Sequence, residues 1–184
     1  MTALPPESLF APWETFYVIV GSAGGALTGL LFVVVALVAD KARTGTARGL
    51  GAYTTPSIFH FVNVLVISAL VTMPRRGLAS LAVLLGACAV VGAYVTITAV
   101  WRITRFEEYS PVAEDWIWHG IIPGTAYVAL LVAGITLSSA TAFSLDLIAV
   151  VTLSLLFVGL HNAWDVALYS ATNMPREPSE PPKR

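Results

Sequence analysis

Charge is scarce in this sequence. Only 11% of its 184 residues are Asp, Glu, Lys or Arg, where a water-soluble domain carries about 25% because its surface must be solvated. Too few charges remain to cover a surface facing water, which excludes an ordinary soluble globule. Cysteine is nearly absent too. The single thiol, Cys88, cannot form an intrachain disulfide, and it excludes a zinc knuckle or a paired redox motif. No basic stripe with interleaved aromatics occurs and the net charge is −1, so nothing points to nucleic acid as a partner. The first 14 residues hold Glu7 and Glu14 but no Lys or Arg. They therefore lack the basic region of a secretory signal, and the apolar run that follows is expected to be retained. Neither a nucleophile-elbow motif nor a phosphate-binding glycine loop is present.

What the sequence has is apolar length. Hydrophobic residues make up 57% of the chain, and the mean hydropathy is +0.78. Five apolar runs stand out, at about 15–39, 56–73, 78–101, 116–137 and 145–169. At 1.5 Å per helical residue, runs of this size cross a hydrocarbon core of about 30 Å. Backbone amides in lipid must be bonded within the segment, and the ~10-residue alternation of a membrane barrel is missing. The expected fold class is therefore all-α: a polytopic transmembrane bundle of five helices in one domain, 1–173, with the lipid bilayer as its surroundings. Pro56 reads as a first-turn proline after Thr54 and Thr55. Pro74 ends the second helix before an Arg75–Arg76–Gly77 hairpin. The tail 174–184, with Pro175, Pro178, Pro181 and Pro182 among charges, is expected to be disordered and cytoplasmic.

Lys and Arg set the orientation. With the N-terminus outside and the C-terminus in the cytoplasm, Lys41, Arg43, Arg48, Arg102, Arg105, Arg176, Lys183 and Arg184 lie inside, eight of the ten basic residues. Only Arg75 and Arg76 then lie outside. Trp101, Trp116 and Trp118 form an inner aromatic belt, with Trp13, Phe16 and Tyr17 at the outer one.

Two overlapping small-xxx-small patterns, Gly21 with Gly25 and Gly25 with Gly29, mark the first helix as a close-packing surface. It serves packing within the protomer, or a homo-oligomer, which a bundle with little interior of its own favours, or it lines a conduit.

Ionisable groups inside the membrane count as functional candidates by default. All three histidines lie in apolar runs, and the topology carries them to one face. His60 is four residues into the second run, His119 four residues past Asp115, and His161 and Asp165 close to the end of the fifth. Asp115/His119 and His161/Asp165 are i,i+4 pairs, each on one helical face. Ser57, His60 and Asn63 share a face of the second helix. Pro123 cannot donate to the His119 carbonyl, so a kink is expected beside that histidine. Three readings follow. The residues are inter-helix glue, or a metal site for zinc, iron or manganese (or a bis-histidine haem), or a proton- or ion-conducting relay. The metal reading takes His60, His119, His161, Asp165 and Asp115 as ligands, with Asn63, Asn162, Ser57 and Glu114 in support. No HExxH or HxxxH spacing is present to favour it. Glu107, Glu108 and Glu114 form an acidic loop, either solvated or a vestibule for cations.

The segment Ala26-Leu27-Thr28-Gly29-Leu30-Leu31-Phe32-Val33 resembles the first helix of small, functionally uncharacterised bacterial multi-pass proteins. Glu114-Asp115-Trp116-Ile117-Trp118-His119 and His161-Asn162-Ala163-Trp164-Asp165 are similar to signatures of one branch of them. The resemblance implies a helical membrane fold and bacterial inner-membrane placement, and no activity.

Overall fold

The computed structural model of the chain describes residues 6–41, 47–74, 77–105 and 113–172. These are helical almost throughout, with no strand among them. A short helix α1 (Pro6–Phe10) and a 3₁₀ turn (Ala11–Trp13) lead into α2 (Glu14–Lys41). Then come α3 (Ala47–Thr72), α4 (Leu78–Thr104), α5 (Ala113–Trp116), a π-helical turn (Ile117–Ile121), α6 (Ile122–Thr136) and α7 (Thr141–Thr172). Among the described residues five stretches are long and apolar enough to cross a membrane: Ser8–Ala36, Thr55–Thr72, Leu78–Arg102, Ile117–Thr136 and Thr141–Leu168.

The helices pack as a closed ring of four with a fifth outside it. α3 lies against α4, α4 against α6, α6 against α7, and α7 back against α3, so that consecutive members run antiparallel. α2 packs on the outer side of α3 and also touches α7. The interior is lined by Val64, Ile67, Leu85, Leu130, Leu137, Ile148 and Leu155, all fully buried. At the end where the chain starts, the Tyr17 hydroxyl donates to the Leu145 carbonyl at 3.4 Å and ties α2 to α7. Trp13, Phe16 and Tyr17 form an edge-to-face aromatic group there. At the opposite end the Arg105 guanidinium sits 4.9 Å over the Trp101 ring.

Three sequence expectations change. Pro56 is not a first-turn residue, because α3 begins nine residues earlier at Ala47 and carries the proline inside it. The turns before the proline hold Arg48, Gly49 and Gly51, and the helix runs through them. The fourth span is not one α-helix. Pro123 has no N–H for the His119 carbonyl, and its ring crowds the turn before it. The backbone answers by widening that turn, so that the Ile122 N–H donates to the Ile117 carbonyl five residues back. The expected kink is thus a π turn, and it holds Trp118 and His119. Thirdly, α7 is longer than the run 145–169 at both ends. The tail 174–184, Arg75, Arg76, Glu107 and Glu108 lie outside the described residues.

The glycine face of α2 is also redistributed. A Cβ on Gly21 would stand 2.7 Å from the Cβ of Ser68, and one on Gly24 2.9 Å from the Phe61 carbonyl oxygen. Gly25 is only in ordinary contact with Leu65, and Gly29 has open space. The α2–α3 approach therefore runs along Gly21 and Gly24, a turn of three residues, while Gly29 faces away from the bundle.

Candidate functional site

The site is built first on α3. Ser57, His60 and Asn63, spaced three residues apart, are all buried on its inward face, and His60 is completely so. His60 is completed by a residue that the sequence reading missed. Tyr127 of α6 lies across the ring of four, also fully buried, with its hydroxyl 2.8 Å from His60 Nδ1. The imidazole and phenol rings are 5.8 Å apart and tilted by 37°. Room for the phenol comes from α4, where a methyl group on Gly92 would fall within the Tyr127 ring. Asn63 Nδ2 donates to the Cys88 carbonyl at 3.5 Å.

The phenol and His60 Nδ1 share one hydrogen, and which of them donates depends on the imidazole tautomer. His60 Nε2 is buried and has no hydrogen-bond partner, and an unpaired buried polar atom costs about 1–3 kcal/mol.

The π turn supplies the rest. His119 is buried. Its neighbour Trp118 turns the other way and stacks on His161 of α7, with ring centroids 3.8 Å apart and planes at 20°. His161 Nε2 lies 3.2 Å from Asp165 Oδ2. That distance is within ion-pair range, but the angle leaves Nε2 without a formal hydrogen bond. The contact is therefore one of charge rather than of an aligned donor. Side-chain exposures of 27% for His161 and 55% for Asp165 place the pair at the rim. Between rim and core, Asn162 is 1% exposed with neither amide atom hydrogen-bonded.

All three histidines thus sit at one end of the bundle, in two linked groups: His60–Tyr127–Asn63 with His119 inside, and Trp118–His161–Asp165 at the edge. They do not converge on one point. Among the described residues no group of three or more His, Cys, Asp or Glu could hold a metal ion. None of His60, His119, His161 or Asp165 is assigned here as a metal ligand, and the side chain of Asp115 lies outside the described residues. Glu114 is exposed and takes no part. Tyr127 was detectable in principle, four residues beyond Pro123 and eight beyond His119. Its chemistry was hidden because an intramembrane tyrosine usually reads as packing. Comparison with protein-family models, curated proteins and solved structures finds no match, so the functional reading rests on this geometry.

Proposed function

We propose that this chain is a multi-pass protein of a bacterial cytoplasmic membrane, N-terminus outside and C-terminus inside, whose buried His60–Tyr127–Asn63 network with His119 is the relay of a small proton-conducting or proton-coupled membrane protein. The excess of Lys and Arg on one side supports the orientation. One observation carries the functional reading: a fully buried imidazole whose Nδ1 is held by a phenol and whose Nε2 faces no protein partner. An imidazole and a phenol in hydrogen-bond contact can exchange a proton without moving heavy atoms. Towards the outer end the buried polar side chains continue as Ser68, Thr152 and Ser144.

The test is proton flux into liposomes of purified protein carrying an internal pH dye, driven by a potassium-diffusion potential. The expected result is a flux reduced at least about tenfold by His60→Gln and by Tyr127→Phe, a barrier increase of roughly 1.4 kcal/mol. Flux equal to wild type in both variants would refute the relay. Elemental analysis of protein purified without chelator checks the rival. Near-stoichiometric zinc, iron or manganese, lost with His119→Ala, would replace the relay by a metal centre.

A further inference from the structure

We infer that the outer face of α4 is a seam on which a second copy of this chain packs in parallel about a two-fold axis, with the Tyr94 hydroxyls of the two copies hydrogen-bonded to each other. The inference rests on the membrane placement proposed above and is independent of the relay.

A phenol without a partner is the starting observation. Tyr17, Tyr94 and Tyr127 are the tyrosines whose side chains the structure describes. The hydroxyls of Tyr17 and Tyr127 are both hydrogen-bonded across helices. Tyr94 is instead 67% exposed on the outside of the bundle, and among the described residues its hydroxyl has no hydrogen bond.

Depth rules out water as the missing partner. The apolar stretch of α4 runs from Leu78 to Arg102, so its midpoint is at Val90 and Tyr94 lies about 6 Å beyond it along the helix. A hydrocarbon core of about 30 Å therefore extends about 9 Å past Tyr94. Helical side chains lean towards the N-terminus of their helix, which carries this phenol back towards the bilayer centre. Serine and threonine at such depths bond their own backbone, as Thr28, Thr98, Thr125 and Ser154 do. A phenol is too long to turn back in this way. Because a bare hydroxyl in hydrocarbon is costly, this face calls for a polar group from outside the chain.

The residues around Tyr94 suit a helix. Val83, Ala87, Val90, Tyr94, Ile97 and Trp101 are all exposed on α4, at the alternating spacing of four and three that makes the seam of a left-handed helix pair. α2, the helix outside the ring, packs on α3 and α7 and leaves this face open. Copies of one chain insert in the same direction, so a two-fold axis along the membrane normal sets each seam residue level with its own counterpart. Such an interface must be self-complementary. Apolar side chains meet that condition, and so does a hydroxyl, which both donates and accepts. From Leu78 to Trp101 the helix carries no charge. Arg102 and Arg105 follow only where the apolar stretch ends, in reach of water that screens them.

The experiment uses full-length protein with Cys88→Ala, in native membranes and in liposomes. Single cysteines at Val90 or Ile97 should oxidise to disulfide-linked dimers. Cysteines at Val150 or Phe157, similarly exposed on α7, should not. Single-molecule photobleaching of labelled protein at graded dilution in lipid gives the dissociation constant. Tyr94→Phe should raise it about threefold, the average for a hydrogen bond between membrane helices, and at most about twentyfold. Ala87→Phe puts a wedge in the seam and should abolish the dimer with the helical circular-dichroism spectrum unchanged. Disulfides that form as fast at Val150 as at Val90, or a dimer that survives Ala87→Phe, overturn the seam. A dimer lost in Ala87→Phe but of unchanged affinity in Tyr94→Phe overturns the part given to the phenol. Protein that alkaline carbonate strips from the membrane removes the membrane placement and the seam with it. Carbonate-resistant protein that bleaches in one step at every dilution overturns the seam alone.

Discussion

Tyr127 and its two neighbours decide how the site works at the scale of single residues. Hydrogen bonds between membrane helices average about 0.6 kcal/mol and reach about 1.7. Removing the phenol oxygen in Tyr127→Phe should therefore lower thermal stability only slightly while stopping flux. A loss of several kcal/mol, with aggregation, would show that the network is structural. Gly92→Ala is expected to do the opposite. A methyl group placed in the Tyr127 ring must push the phenol aside, costing about 1–3 kcal/mol and displacing its hydroxyl from His60. A melting curve in detergent reads that cost directly. Gly29→Ala is the control, since open space surrounds its Cα. It should be neutral, or more stable by up to about 1 kcal/mol through helix propensity.

The π turn is the element on which the arrangement depends. It exists because Pro123 denies the His119 carbonyl its usual donor, so Pro123→Ala should let the turn tighten into α-helix. Residues 113–119 would then rotate by about 100°, the angle of one helical residue. Trp118 would leave its stack on His161, and a shift in Trp emission at nearly unchanged thermal stability would report it. An unchanged emission spectrum would separate the turn from the proline. Much at this scale was legible in the sequence. Five spans followed from apolar length, and the gathering of His60, His119 and His161 at one end followed from their distances to the helix ends. The partner of each imidazole was not legible. Contact depends on rotation about each helix axis, and these helices are apolar all round. Val83, Ile97 and Ile135 face outward as apolar as the residues facing in, because lipid replaces water as the outer solvent. Pattern therefore located the histidines along the bilayer normal and left their azimuth open. The form of the disruption at Pro123, a π turn, was not legible either, since proline signals only that an α-helical bond is lost.

For the whole molecule, orientation is the property most open to direct measurement. Single cysteines introduced at Thr2 and Ser179 in a Cys88→Ala background should react with an impermeant maleimide from opposite sides of sealed cells. Thr2 is expected to label from outside, and Ser179 only after lysis. The reverse pattern would place the histidine end at the outer surface.

The closed ring of four helices has a consequence for biogenesis. Its last member to be synthesised, α7, touches α3, made three spans earlier, and Gly159 admits the Phe61 ring so closely that an added Cβ would stand 2.6 Å from it. Until α7 leaves the ribosome, the face of α3 that carries His60 and Phe61 has no permanent wall on that side. Nascent chains halted before residue 141 should therefore hold an imidazole at the open seam of the bundle. They are natural clients for an insertase or a quality-control protease, which would make completion of α7 the checkpoint for the entire fold.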